Sequence, residues 1–366
     1  MARILSYGCT SSAGPTTSHF WDHLIQGKIN TDPRWSFHLN DGDEKKSSQE
    51  VLTQQLCLAW DQAKRAFNPD QAFGVILAST KGCIDDFIWN QERPEKTLAL
   101  DSITPVLESF LKAAELSPAE SICVSNACAS SHAALFLGAE WIRQGRVKQV
   151  LVLACDRVGD FVLKGFQSLH ALTENIPKPF AAARDGLKLG EAAAAILLGT
   201  PSHPDLESYE LRGVGLNTEG YAVTRPSPSG ESLKRAFQQL KNEIKSDSDF
   251  PDFIIAHGTA TKLNDSTEDK IFTELFSNQS IPVSGTKWCI GHTLAASGAM
   301  DVIAACQAIK TRQLFSLAST IEIDPAFHAH YLDASKKSDS SINTINRVLV
   351  SSLGFGGIHA MTEIAR

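Results

Sequence analysis

Ile122-Cys-Val-Ser-Asn-Ala-Cys128-Ala-Ser-Ser-His-Ala-Ala-Leu-Phe-Leu-Gly138 passes from an apolar strand pattern, through a cluster of small residues, into an apolar helix pattern. The reading predicts a strand over Ser121 to Val124 and a helix over about 130 to 144, with Cys128 at the turn between them. A helix N-terminus offers free N–H groups and the positive end of the dipole, which favours a thiolate there. Ala127, Ala129, Ser130 and Ser131 are small and leave room for a carbonyl to approach the sulfur. The same position also suits a cysteine buried as a small hydrophobe.

Outward from this segment the alternation continues. Strand patterns over Arg3 to Gly8, Phe73 to Ala78, Gln149 to Cys155 and Ala193 to Leu198 alternate with helical patterns near 16 to 27, 48 to 66 and 100 to 114. Val150 to Ala154 and Ala194 to Leu198 are apolar on both faces, as in a sheet covered by helices on each side. After the break Thr200-Pro-Ser-His-Pro-Asp205, a second set predicts strands over Tyr209 to Leu216, Phe253 to Ala256, Leu314 to Ser319 and Val348 to Leu353. Helices near 230 to 246, 265 to 277 and 293 to 311 lie between these strands. The fold class is α/β in two similar halves, residues 1–205 and 206–366. Asp41 to Ser47 and Ser335 to Ile342 read as polar surface loops.

Composition narrows the function. The 366 residues are 43% hydrophobic and 20% charged, ordinary for a globular chain. Thirty-four Lys and Arg against 41 Asp and Glu give a net charge of −7 with no basic run, so no nucleic acid partner is expected. No signal-peptide pattern and no bilayer-length apolar run occurs, so the expectation is a cytoplasmic protein without a membrane partner. Eight cysteines without a C-x-x-C pair fit a reducing compartment. His328-x-His330 has no further ligands at metal spacing and reads as surface loop.

Three further segments carry polar residues out of apolar strands. Phe253-Ile-Ile-Ala-His257-Gly-Thr259-Ala-Thr261 delivers a histidine and two threonines into a loop that leads on to Glu268. Lys287-Trp-Cys-Ile-Gly-His292 places a Gly-His pair at the expected start of a helix, where the dipole biases the ring toward its neutral form. Val348 to Leu353 runs into Gly354-Phe355-Gly356-Gly357, a turn able to aim a backbone N–H at a ligand. Read singly, each segment also has a plain structural explanation.

In this order along the chain, the four segments resemble the β-ketoacyl-acyl carrier protein synthases, condensing enzymes with a Cys-His-His triad. Asn126-Ala-Cys128-Ala-Ser-Ser is similar to the nucleophile motif, His257-Gly-Thr-x-Thr261 to the first histidine motif and Lys287-x-x-x-Gly-His292 to the lysine-histidine motif. Lys178-Pro-Phe180, Arg184-Asp-Gly186 and Gly190-Glu191 are similar to the family's intervening segment. The resemblance implies a thiolase-like five-layered αβαβα fold and an acyltransferase that condenses an acyl thioester on Cys128 with malonyl carrier protein. The pathway would be fatty acid, polyketide or aryl-polyene biosynthesis.

The same resemblance assigns the residues. His257 and His292 would serve the decarboxylation and condensation step, with Lys287 and Glu268 in the polar network around them. The backbone N–H groups of Cys128 and Phe355 would form the oxyanion hole, with Phe355 also gating, and Thr259 and Thr261 would bind the phosphopantetheine arm. No metal or other cofactor is implied beyond that arm. The implied partners are acyl carrier protein, for which Lys64-Arg65 offers a basic patch, and a second copy or a related ketosynthase-like subunit forming a dimer. Two departures stand out: Ala181 occupies a position where the family often has Asp, and Asp301 one where it commonly has Glu. A chain-length-factor-like subunit and a Cys-His thioester hydrolase are the competing functions.

Overall fold

The computed structural model describes residues 2–30, 46–88, 101–201, 206–244, 250–277, 279–335 and 344–366. Of the two expected polar loops, 41–45 and 336–342 lie outside the described residues. The first five strands are β1 (Arg3–Ser11), β2 (Phe73–Ala78), β3 (Glu120–Val124), β4 (Gln149–Asp156) and β5 (Ala192–Gly199). The remainder are β6 (Tyr209–Thr218), β7 (Phe253–Ile255), β8 (Pro282–Ser284), β9 (His330–Tyr331), β10 (Arg347–Gly354) and β11 (Ile358–Ala365). Before residue 200 come helices α1 (Thr17–Gln26), α2 (Ser48–Ala63), α3 (Asp85–Ile88), α4 (Thr104–Ala113), α5 (Ser130–Arg143) and α6 (Asp160–Ser168). After it come α7 (Glu231–Ile244), α8 (Lys262–Phe276), α9 (Lys287–Ile290) and α10 (Ser297–Thr311).

The strand order β3-β2-β4-β5-β1 is followed by β6-β11-β10-β7-β8-β9. Numbered within its own half, each set has the order 3-2-4-5-1, and β9 is appended at the far edge. Directions repeat as well: β2 is parallel to β3 and β4, and β7 to β8 and β10, while β5 and β11 are antiparallel to both neighbours. The two sets are joined by a short antiparallel contact of Arg3 and Ile4 with Glu210 and Tyr209.

Layering follows from what each helix buries. α5 and α10 pack on each other and reach both strand sets, α5 touching β4 and β6, α10 touching β10 and β5. They are therefore the middle layer. α2 covers β1 and β5 with α4 beside it, and α7 covers β6 and β11 with α8 beside it. These are the outer layers of the αβαβα arrangement. Every residue of β4 and β5 is buried, and the alanines of Ala192 to Ala195 let helices approach β5 from both sides.

Local chemistry sets the helix ends. Ser47 and Glu50 form a capping box at the start of α2. Thr16 caps α1, and Gly27, left-handed at φ 64°, ends it. One expected strand is absent. Leu314 to Ser319 makes only an isolated bridge at Leu317, because the turn that closes with Thr320 N–H on the Leu317 carbonyl (2.8 Å) breaks the run. Its apolar pattern serves the core instead, with Phe315 set edge-on against Trp21 and Phe253. Conversely α6, β8 and β11 carry no assignment from the sequence, and His330 starts strand β9 instead of lying in a loop, its Nδ1 2.9 Å from Ser280 Oγ.

Candidate active site

Strand ends converge at the site. Cys128 follows β3, His257 follows β7, His292 follows β8 and α9, and Phe355 follows β10. The parallel strands β7, β8 and β10 deliver the His257, His292 and Phe355 loops from the same end, and β3 brings Cys128 to them from the other strand set. Positive φ at non-glycine residues marks these loops: Ala127 (48°) beside the nucleophile, Ala260 (64°) after His257 and Leu294 (53°) after His292. Such backbone states are sparsely populated and persist where surrounding structure enforces them.

Cys128 is only 4% exposed, and its Sγ lies 3.0 Å from His292 Nε2. The His257 and His292 rings stand perpendicular with centroids 5.0 Å apart. The sulfur and one nitrogen of each ring all lie within 4.8 Å of one another. The backbone N–H groups of Phe355 and of Cys128 itself lie near the sulfur and favour its charged form. Ser352 Oγ donates to the Cys128 carbonyl at 3.1 Å, tying β10 to the turn.

The protonation states differ in part from the sequence expectation. α5 begins at Ser130, and burial pushes the Cys128 thiol up to about 11, against the lowering effects of the Phe355 N–H and the Lys287 charge. The resting sulfur is therefore a thiol and not a dipole-stabilised thiolate: desolvation outweighs the helix end. His292 is neutral as expected, but for another reason. It precedes α10 by a short turn, and its ring is pushed down to about 3 by burial first and by Lys287 second. Burial, then Lys287, also holds His257 well below the usual imidazole range.

The remaining expected residues take definite places. Lys287 Nζ is buried against Asp301 Oδ2 at 3.0 Å, and Thr286 Oγ1 donates to Asp301 Oδ1 at 2.5 Å. Glu268 does not touch a histidine ring. It accepts from the backbone N–H of His257 (2.8 Å) and Gly258 (2.7 Å), from Ser351 Oγ (2.6 Å) and from Asn264 Nδ2 (2.9 Å), and so fixes the His257 loop. Removing one partner of a buried ion pair leaves the other charge unsolvated. Asp301→Ala is accordingly expected to cost about 3–5 kcal/mol in urea denaturation.

Sequence reading missed two anchors. Asp156, at the end of β4, accepts from Ser79 Oγ (2.8 Å), Thr80 N (3.0 Å) and Ala295 N (2.9 Å), tying the β2 end to the turn after His292. An acid closing the apolar run Val150 to Cys155 is the available signal. Asp324 is the other. With Ala181 in place of an acid, Arg184 pairs across the fold with Asp324 Oδ2 at 2.6 Å. No local pattern announces that partner.

Segment 187–191 holds His292 in register. His292 N–H donates to the Lys188 carbonyl at 2.7 Å, and Gly190 N–H to the His292 carbonyl at 3.1 Å. A Cβ on Gly190 would lie 1.9 Å from the Ile290 carbonyl oxygen. Gly190→Ala therefore forces the two segments apart, with an expected loss of about 3 kcal/mol in thermal unfolding.

Above the sulfur opens a cavity of about 470 Å³, lined by Cys128, His257, His292, Phe355, Thr259 and Thr261 among others. The two threonine hydroxyls are 3.0 Å apart. Phe355 stacks on Phe166 of α6 at 5.2 Å between centroids. Arg225 and Lys262 also line this cavity, whereas Lys64 and Arg65 do not, and Lys64 pairs with Asp61 at 2.6 Å. Among the described residues no helix is long and apolar enough to cross a membrane.

Comparison with known proteins agrees with this architecture. Residues 117–203 match the N-terminal domain of beta-ketoacyl synthase, and residues 209–320 match the C-terminal domain. Nodulation protein E of Rhizobium meliloti is 30% identical over 210 residues, 55% of this chain and 52% of that protein. 3-Oxoacyl-[acyl-carrier-protein] synthase 2 of Staphylococcus aureus is 30% identical over 215 residues, 54% of this chain and 50% of that protein. The chain thus spans about half the length of these curated relatives. A ketosynthase solved in complex with its chain length factor, from Xenorhabdus doucetiae, superposes with a TM-score of 0.84 at 22% identity, covering 100% of this chain and 97% of that one. The fold is the thiolase-like fold of the ketosynthases. The two domain matches cover more than half of the sequence between them and take in Cys128, His257 and His292, so the chain belongs to the β-ketoacyl synthase family.

Proposed function

We propose that the protein is a β-ketoacyl-acyl carrier protein synthase that joins an acyl group to the two-carbon unit of malonyl carrier protein with loss of CO₂. The observation that carries this reading is the grouping of Cys128, His257 and His292 within 4.8 Å beside a cavity also lined by Thr259 and Thr261. In acylation, His292 Nε2 takes the thiol proton and the sulfur attacks the thioester carbonyl, whose oxygen sits on the Cys128 and Phe355 N–H groups. The carrier thiol leaves with the proton.

A malonyl thioester then places its carbonyl oxygen before the two neutral imidazoles. As CO₂ departs, their N–H groups hold the enolate oxygen, and the enolate carbon attacks the acyl group while the Cys128 sulfur leaves. Neutral rings suit this step, since a charged ring would protonate the enolate. Lys287 helps keep them neutral, and Glu268 fixes the His257 loop. Thr259 and Thr261 are the hydroxyls for the phosphopantetheine arm, and Phe355 is the gate. This chemistry calls on thiol, imidazole and backbone N–H groups, with no metal or redox group.

The proposed partners are acyl carrier protein, received at the cavity mouth beside Arg225 and Lys262, and a second copy or a related subunit. β3 ends the strand order and leaves Ile122 43% exposed, and an open edge of this kind suits pairing across a dimer. We place the protein in the cytoplasm, consistent with eight free cysteines, and divide it near residue 205 into a nucleophile half and a histidine half.

The test supplies acyl carrier protein loaded with an acyl group, together with malonyl carrier protein, to the purified chain and follows adducts by intact-mass spectrometry. A 3-oxoacyl carrier product, one CO₂ per product and an acyl adduct on Cys128 are expected. Release of free acid without condensation would make the protein a thioester hydrolase. Absence of both, with turnover restored only by a second ketosynthase, would make it a chain-length-factor-like subunit.

A further inference from the structure

Among the described residues, Cys128, His257 and His292 are the one group of Cys, His, Asp or Glu side chains whose donor atoms converge closely enough to hold a metal ion. All three are buried, and the sulfur and His292 Nε2 are 3.0 Å apart. A tetrahedral Zn²⁺ with ordinary Zn–S and Zn–N bonds sets sulfur and nitrogen about 3.6 Å apart and two nitrogens about 3.4 Å apart. Side-chain rotations of about 1 Å at the donor atoms convert the observed spacing to that geometry. One thiolate and two imidazoles are a borderline-soft donor set that selects zinc over magnesium or calcium.

Surroundings permit the ion. The cavity of about 470 Å³ gives access from solvent and leaves a fourth position for water. Lys287 is the nearby charge that opposes a cation; its salt bridge to Asp301 at 3.0 Å offsets it only in part, which weakens binding. Each ring also has a buried Nδ1 without a hydrogen-bond partner. Structural zinc sites steady their histidines through such partners, whose loss weakens binding about 10–100-fold. The site is therefore a reversible one.

We propose that this group of side chains is an inhibitory Zn²⁺ site, coordinating through Cys128 Sγ and one nitrogen each of His257 and His292. Binding forms one Zn–S and two Zn–N bonds, releases the thiol proton to solvent and oxidises nothing. The sulfur, once coordinated, is closed to acyl transfer. The site itself stands on side-chain geometry, and only the inhibition rests on the condensing activity proposed above.

The experiment titrates the full-length chain with Zn²⁺ against a chelating indicator, and with Co²⁺ as a spectroscopic probe. One equivalent per chain is expected, with a thiolate-to-Co²⁺ charge-transfer band that Cys128→Ser removes and binding that His257→Ala weakens about tenfold or more. Zinc is also expected to slow iodoacetamide alkylation of Cys128 about tenfold or more in the unsubstituted chain, with reversal by EDTA. That last measurement needs no variant to fold. Binding unchanged in both variants, or alkylation indifferent to zinc, overturns the site. Zinc binding in a protein that does not condense would leave the site standing and sink the proposed function, and condensation without zinc binding would do the reverse.

Discussion

Cys128→Ala is expected to abolish acyl adduct formation and lower condensation by about 10⁴-fold or more, because Cys128 supplies the thiol that lies beside the two histidines. Each of the other seven cysteines is free, and none lines the cavity. Cys128→Gln separates the two halves of the chemistry. Its amide fills the space of an acylated sulfur and leaves both imidazoles in place, so carbon dioxide release from malonyl carrier protein is expected to continue while condensation stops. Full condensation by Cys128→Ala, read as 3-oxoacyl product by mass spectrometry, would refute the nucleophile assignment.

His292→Ala is expected to lower decarboxylation about 10²–10³-fold, the loss typical of one oxyanion donor. The geometry adds an effect that chain order did not suggest. His292 Nε2 is the ring nitrogen 3.0 Å from the sulfur, so the proposed mechanism also has it take the proton during acylation. Burst acylation of Cys128 is therefore expected to slow in His292→Ala. In His257→Ala, which leaves the His292 contact with the sulfur in place, decarboxylation is expected to fall by a similar factor with acylation little changed. Equal acylation bursts in the two variants would remove the distinction between the rings.

The site was legible because its chemistry sits in short segments at strand ends. His257-Gly-Thr-Ala-Thr261 shows in one line of sequence that an apolar strand gives way to small and hydroxylated residues, and the fold brings that loop to Cys128. Glu268 acts on the backbone of the His257 loop and not on its ring. Its place in the second turn of α8 directs its carboxylate to the backbone of residues 257 and 258, while Lys287 finds its counter-charge in Asp301. Leu314 to Ser319 shows the converse limit. Alternating apolar residues record burial, and burial by ring packing leaves the same pattern as burial in a ladder.

By itself the sequence determined the alternation of strands and helices and the segments that the fold brings to one cavity, since periodicity and turn composition are properties of neighbours along the chain. Only the tertiary structure decided that Cys128 rests as a thiol, that Arg184 pairs with Asp324 and that Asp156 ties the β2 end to the histidine turn. A group's charge state and partners depend on which distant segments exclude water from it, and desolvation arises from chain segments far apart in sequence.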